Sequence, residues 1–373
     1  MRFTIFFVVI TVILSLASFY VGTRLMRSDW LYSHRRVVWM FLFLFIALQL
    51  LGPILYRAFP DHFSNFFALH WITYTTLGLF ASLFFYTVFA DALLLIWSFL
   101  NNGKDSVDLE RRNVLLVGSL TLGTTVLGLA QTSKGPQLEE VDIPIRNLPE
   151  AFQGFRIAQV SDLHVGPLIR RDYVQNVVKM VSEAKPDLIA LTGDFSDGTV
   201  GHLRDEIWPL EQLQAPHGKF FVTGNHEYYW EANEWLKLHR EMGARILENE
   251  HVVLEKDGKQ LVLAGVNDLS HESDPKAAAQ GAPSGVPRIL LAHQPASYKA
   301  ASEAGFDLQL SGHTHAGQFF PWNLVVKVAQ KYYRGLNRHE NMWVYVNRGT
   351  GYWGPPIRFA VPSEITLIRL VKG

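Results

Sequence analysis

Four long apolar stretches fill the first third of this 373-residue chain and restrict that third to membrane helix. They run from about Phe3 to Val21, Val37 to Tyr56, Trp71 to Leu100 and Val114 to Gln131. About 20 helical residues cross a bilayer. Lipid offers no partner to an open backbone, so a spanning segment of this kind must satisfy its own peptide groups as helix. The third stretch exceeds one span and has to tilt or run past the interface. The first alone would pass for a signal peptide; three spans behind it favour a retained anchor. Asp91 falls in the second half of the third stretch. It is either a functional group inside the membrane or a carboxylate packed at a helix contact or interface.

Basic residues in the short loops give an expected orientation, because Lys and Arg collect on the cytoplasmic side. Arg24, Arg27, Arg35 and Arg36 follow the first stretch; Arg57 alone follows the second. Lys104, Arg111 and Arg112 follow the third, and Lys134 and then Arg146 follow the fourth. Loops one and three are therefore the cytoplasmic candidates, and everything after Gln131 faces outward. Arg111-Arg112 precedes a mildly apolar segment ending Gly128-Leu129-Ala130-Gln131-Thr132. It reads either as an embedded twin-arginine export signal or as ordinary flanking charge; both send the C-terminal part outward. The expectation is an integral protein of a bacterial-type inner (cytoplasmic) membrane whose C-terminal domain is extracytoplasmic.

The remainder reads as a linker over 133–152 and a globular domain over 153–373, behind an anchor over 1–132. Apolar runs at Phe155–Val160, Leu188–Leu191 and Lys219–Val222 alternate with helical patterns, the first carrying Val174, Val177, Val178 and Val181 on one face. Strands spaced this way imply crossovers and a largely parallel sheet. Val252–Glu255 and Gln260–Ala264 flank Asp257-Gly258, a hairpin signal. Ser273–Pro287 reads as a surface loop. Further strands are expected at Arg288–Ala292, Leu308–Leu310, Trp343–Asn347 and Ile365–Leu370, with a helix through Ser297–Ala304. There is no internal repeat.

Each run in the first set ends at residues with metal or acid–base chemistry, and sites in open α/β sheets form beyond the carboxyl ends of strands. Asp162 and His164, Asp194, Asn225 and His226, His293, and His313 and His315 all fall there. An isolated Asp-x-His or Gly-Asp is commonly a turn or a cap. Gly-Asn-His-Glu and Gly-His-Thr-His have little structural purpose at a strand end, and the ordered set is far more specific than any member. The chain has no Cys, so imidazole, carboxylate and amide remain to hold a metal; the redox compartment stays open. The formal net charge is +0, which gives no basic field for nucleic acid. Nothing in the sequence identifies a protein partner.

The motifs Ser161-Asp162-Leu163-His164, Thr192-Gly193-Asp194-Phe195-Ser196-Asp197, Gly224-Asn225-His226-Glu227, Ala292-His293-Gln294-Pro295 and Gly312-His313-Thr314-His315-Ala316-Gly317-Gln318 make the chain resemble the calcineurin-like metallophosphoesterase family. The likeness covers about Phe155 to Leu370. It leans toward the envelope-associated branch, through Asn347-Arg348-Gly349-Thr350-Gly351 and Pro356-Ile357-Arg358-Phe359; that branch includes enzymes that split the pyrophosphate of UDP-diacylglucosamine. Ala316 stands where many relatives carry Gly. The resemblance implies a four-layer αββα sandwich behind the all-α transmembrane region. It implies one metal on Asp162, His164 and His315, another on Asn225, His293 and His313, and Asp194 bridging them. His226 would face the phosphate and Asp197 would orient it; Glu227 is a further supporting candidate.

The chemistry of an anionic phosphoester agrees. Two divalent cations about 3.5–4 Å apart neutralise it, clamp the attacking and leaving oxygens, and let a bridging hydroxide act as nucleophile near neutral pH. Mixed N/O ligands suit Mn, Fe, Zn, Co or Ni alike. The stretch Gln318–Tyr352 and its neighbour Trp353 are rich in aromatics, with Lys327, Lys331, Arg334 and Arg338 spaced as on one helix face. These groups line an apolar groove, rest on lipid, or belong to core and solvated surface. Tyr228, Tyr229 and Trp230 border the same region. The expected function is a membrane-anchored, dinuclear-metal phosphodiesterase or pyrophosphatase acting on a lipid or lipid-linked substrate. UDP-diacylglucosamine is made on the cytoplasmic side, against the orientation above. The alternatives are a cytoplasm-facing pyrophosphatase of that type and a non-catalytic sensor.

Overall fold

The structure is a computed structural model that describes residues 2–59, 66–100 and 109–373. It forms two compact units. The first holds the chain up to Ala130 together with residues 320–322 and 354–359; the second holds residues 131–319, 323–353 and 360–373.

Helices α1 (Arg2–Leu25), α2 (Arg35–Ala58), α3 (Phe67–Leu100) and α4 (Leu109–Thr132) build the first unit. Among the described residues these four are long and apolar enough to cross a membrane. Leu16, Phe19, Phe43, Leu95 and Phe99 point outward, a surface that water would penalise and acyl chains accept. Lipid gives helices no hydrophobic reason to associate, so they meet where small residues allow close approach. Gly22 backs onto Trp39, and a Cβ there would lie 2.5 Å from its ring; Gly52 backs onto Thr73 in the same way. Asp91 on α3 accepts from the Tyr20 hydroxyl on α1 and lies 2.5 Å from the Arg24 guanidinium. It is therefore a packed carboxylate linking two helices. Tyr86 and Thr124 join α3 to α4 through their hydroxyls, 2.6 Å apart. The Ile357 side chain occupies the space above Gly78 and Gly128. Lys104 lies outside the described residues.

The second unit has two six-stranded sheets. Its strands are β1 (Gln137–Ile145), β2 (Arg156–Val160), β3 (Leu188–Leu191), β4 (Lys219–Phe221), β5 (Arg245–Ile246), β6 (Glu250–Lys256), β7 (Lys259–Gly265), β8 (Arg288–Leu291), β9 (Leu308–Ser311), β10 (Gly335–His339), β11 (Met342–Val346) and β12 (Glu364–Lys372). One sheet runs β1-β12-β2-β3-β4-β5 and the other β10-β11-β9-β8-β7-β6. β2, β3 and β4 pair in parallel and are covered on both faces, so they read as continuous apolar runs. Helices α5 (Arg171–Ala184), α6 (Val200–Ile207), α7 (Asn225–Tyr229) and α8 (Ala232–Glu241) follow β2, β3 and β4 in the chain. The valines of α5, with Leu203 of α6 and Trp235 of α8, form one core against the first sheet. Ile157, Leu188, Leu263, Ile289 and Leu308 fill the space between the sheets. Helices α9 (Pro275–Ala279) and α10 (Tyr298–Glu303) cover the second sheet through Ala278 and Ala301. The layers are thus α, β, β, α, behind an N-terminal helical region.

Three features depart from the sequence reading. The stretch read as a linker over 133–152 carries β1, paired in parallel along its whole length with β12. Its outward face shows Leu138 and Glu140, and Pro144 sits near its end; charge and proline are the marks of an edge strand and hide its pattern. The loop over Ser273–Pro287 contains α9. Lys327, Lys331, Arg334 and Arg338 do not share a helix face, because helix α11 spans only Trp322–Ala329 and Arg338 lies on β10. Arg338 instead stacks 4.8 Å over Trp343 of the paired strand. The hairpin turn holds as read, with Asp257 and Gly258 both at positive φ, the geometry that suits Asp-Gly.

His239 of α8 is 1% exposed and stacks on Phe221 at 3.9 Å. Burial, aided by the nearby Lys219 charge, lowers its pKa to about 3. The unfolded chain therefore binds this proton below about pH 6.5 while the folded chain stays neutral until about pH 3, so stability from this residue falls as pH drops through that window. In thermal unfolding of detergent-solubilised protein, His239→Phe should gain Tm relative to the parent progressively from pH 7 to pH 4.

Candidate metal centre

The carboxyl ends of strands from both sheets meet at one edge of the second unit. Asp162 and His164 follow β2, Asp194 follows β3, and Asn225 opens α7 just after β4. His293 follows β8, and His313 and His315 follow β9. Carboxylate or imidazole atoms of Asp162, His164 and His315 lie within 4.8 Å of one another, as do those of Asp194, His293 and His313. His164, Asp197 and His226 form a third such group.

The backbone at this edge is strained. Asp162, His164, Asp194, His313 and His315 all adopt positive φ, between 49° and 70°. For a residue with a Cβ this conformation costs on the order of 1–3 kcal/mol and persists only where the surroundings enforce it. The enforcing contacts are visible. Both Asp162 carboxylate oxygens accept from the His313 backbone N–H at 2.9 Å. The Gly351 N–H donates to the Asp162 carbonyl. A Cβ at Gly312 would lie 2.1 Å from an Asp162 carboxylate oxygen, and one at Gly224 would lie 2.2 Å from Asp194 Oδ1. Glycine at these two positions is a matter of room.

Asp194 is the hub. Its Oδ1 accepts from the His226 N–H at 2.8 Å, and its Oδ2 lies 3.0 Å from His293 Nε2. The fully buried Glu227 accepts from the N–H groups of Asp194, Phe195 and Gly224. One side chain therefore fixes both loops that carry Asp194 and Asn225. Burial and the facing Asp194 push the Glu227 carboxyl up. For Asp194, burial alone would raise the pKa, but His293, His226 and His164 outweigh it and hold the carboxyl well below the usual range.

Ring orientation leaves specific atoms pointing inward. His293 Nδ1 donates to the Thr192 carbonyl at 2.8 Å, which turns Nε2 toward Asp194; burial would lower the His293 pKa, but the Asp194 charge raises it to about 10. His164 Nδ1 faces Asp197 at 3.2 Å, and His164 Nε2 lies 3.0 Å from His315 Nε2. Two imidazole nitrogens at that distance need something positive between them. Asn225 Oδ1 is buried without a donor among the described residues. Burial and the His293 charge lower the pKa of His313, favouring neutral imidazole. An amide oxygen, carboxylates and imidazoles gathered at one edge form a mixed N/O donor set of the kind that suits divalent cations.

Asp197 does more than the sequence reading gave it. It lies 2.5 Å from His226 Nδ1 as well as facing His164. Burial would raise its pKa; the charges of His164 and His226 outweigh that and hold it below the usual range. For His226, burial would lower the pKa, but Asp194 and Asp197 raise it to about 9. The exposed rings of Tyr229 and Trp353 sit 5.0 and 5.5 Å from the His226 ring. Gln318 pins Trp353 by both backbone groups, accepting from its N–H and donating to its carbonyl. No sequence pattern signals the Gln318–Trp353 pairing, since its partners are 35 residues apart.

The calcineurin-like phosphoesterase family model matches residues 155–317. A "transmembrane protein with metallophosphoesterase domain" from Danio rerio is 35% identical over 326 residues, covering 82% of this chain and 75% of its own. A metallophosphoesterase from Helicobacter pylori is 36% identical over 270 residues, covering 70% of this chain and 71% of its own. Among solved structures, the Haemophilus influenzae NAD nucleotidase aligns with a TM-score of 0.36 and 16% identity over 52% of this chain and 45% of its own. The chain belongs to the calcineurin-like phosphoesterase family and is a metal-dependent phosphoester hydrolase that carries N-terminal transmembrane helices.

Proposed function

We propose that this hydrolase cleaves a phosphodiester or pyrophosphate bond of a lipid or lipid-linked substrate, using two divalent cations. The observation behind the dinuclear reading is a pair of ligand groups at one edge, Asp162, His164 and His315 beside Asp194, His293 and His313, linked where the His164 N–H donates to the Asp194 carbonyl. Asp162, His164 and His315 would hold one cation, Asn225, His293 and His313 the other, with Asp194 shared. When bound, such a pair supplies charge that neutralises the phosphate and acidifies the attacking water.

The chain's own groups supply the rest. Asp197 holds His226 by Nδ1, so Nε2 is the atom left to meet substrate. When protonated, that nitrogen would donate to the leaving oxygen, the role of a positioned general acid. Asp194 accepts the His226 backbone N–H, which ties the acid to the shared carboxylate. Tyr229 and Trp353 flank the acid and present apolar surface where the leaving group departs. That surface, together with the membrane helices, supports a lipid or lipid-linked leaving group. The excess of Arg in loops one and three supports an extracytoplasmic site.

Asp194→Asn is expected to lose turnover and divalent-ion retention together, read by elemental analysis and hydrolysis of a phosphodiester and lipid-pyrophosphate panel. His226→Ala should keep both ions yet lower kcat by about 10²–10⁴-fold; full activity in the ion-replete variant would remove His226 from the reaction. Reporter fusions at Thr132 should be active only with a reporter that works outside the cytoplasm. The reverse pattern would favour a cytoplasm-facing pyrophosphatase on a nucleotide-linked lipid, which nucleotide release would register.

A further inference from the structure

Helix α11 carries apolar side chains that the folded chain does not cover. None of its eight residues is buried. Trp322, Leu324 and Val325 are 41%, 39% and 39% exposed, and Val328 is 89% exposed. At 3.6 residues per turn, Asn323 and Lys327 share one side, and the remaining positions form a continuous apolar arc. Trp235 on α8, by contrast, is fully enclosed.

Two further observations identify what covers this arc. The helix begins beside a membrane-crossing segment. Trp322 belongs to the first unit, where its ring lies 5.3 Å from Phe85 of α3, and the Phe320 ring lies 6.3 Å from Tyr86. Trp322, the first residue of the helix, is thus part of the unit that carries the apolar spans. The surrounding sequence is also one-signed: no Asp or Glu occurs between Asp307 and Glu340, while Lys327, Lys331, Arg334 and Arg338 do. An amphipathic apolar arc with basic residues around it fits anionic headgroups above acyl chains.

We propose that α11 lies in the boundary between headgroups and acyl chains of an anionic bilayer, with Leu324, Val325 and Val328 in the lipid and Lys327 at the phosphates. The helix is tied to the loop of His313 and His315. A Cβ at Gly317 would lie 2.3 Å from Asn323 Cα, and the Thr314 hydroxyl donates to the Tyr333 carbonyl just beyond the helix. Seating α11 in lipid thereby restrains the loop that carries two proposed ligands. The inference stands whether or not the substrate is a lipid.

The cysteine-free chain makes the test direct. Full-length Val328→Cys, labelled with an environment-sensitive fluorophore, is reconstituted in phosphatidylcholine–phosphatidylglycerol vesicles. Lys259→Cys, in the exposed β6–β7 hairpin, is the control. The label at 328 should be blue-shifted, quenched several-fold more by nitroxide-bearing lipid than the control, and protected from aqueous iodide. Iodide quenching equal to the control would overturn the proposal. Protection from both quenchers would also overturn it, because a second copy of the chain would then cover the helix. Val328 is nearly fully exposed, so the substitution leaves the fold alone; Leu324→Cys supplies an independent second reading.

Discussion

The buried carboxylate of Asp194 is the constraint around which the candidate metal edge is arranged. Removing an anion from water is expensive unless positive charge or donors replace the lost hydration. Here a backbone N–H from His226 and the ring of His293 meet its two oxygens. Glu227 clamps the peptide on which it sits. Gly224 has no side chain because Asp194 occupies that space. These features follow from placing one charged group where two sheets converge, and they explain why the site is assembled from loops after five different strands.

Strain and compensation are linked at this edge. Five of the seven proposed ligands sit in left-handed backbone, a conformation that glycine would adopt at lower cost. Glycine has no ligand atom, so the chain accepts the strain to point a carboxylate or imidazole inward. Backbone hydrogen bonds and the Asp162–His313 contact hold these turns. A donor set held this way is placed by the backbone itself, as a preorganised site requires.

The placement of the candidate ligands at one sheet edge was legible in the sequence, for a physical reason. Strands buried on both faces leave plain apolar runs such as Leu188–Leu191, and the residues at their carboxyl ends stand out against them. Asp162, Asp194, Asn225, His293 and His313 could be placed on that basis. Two of the edge strands, β1 and β10, could not. β1 and β10 carry charge, proline or glycine because one side is open, and the partner of β1 lies far along the chain. Residues that act through a neighbour were equally hidden. The second contact of Asp197, the triple acceptor role of Glu227 and the Gln318 brace on Trp353 leave no periodic trace. Asp91 was ambiguous in the sequence because a lone carboxylate in an apolar helix says nothing of Tyr20 and Arg24, which lie some 70 positions earlier and decide its environment.

The position of β12 has a consequence for how the second unit is made. It lies inside the first sheet, between β1 and β2, and its Arg369 pairs with Asp142 at a separation of 227 positions. During synthesis, β1 and β2 must wait with unpaired peptide groups until residues 364–372 emerge. Pairing over such a distance is slow, and waiting strand edges invite association with other chains. Nascent polypeptides emerging from the ribosome therefore face a vulnerable interval, and trimming nine residues would strip support from two strands at once.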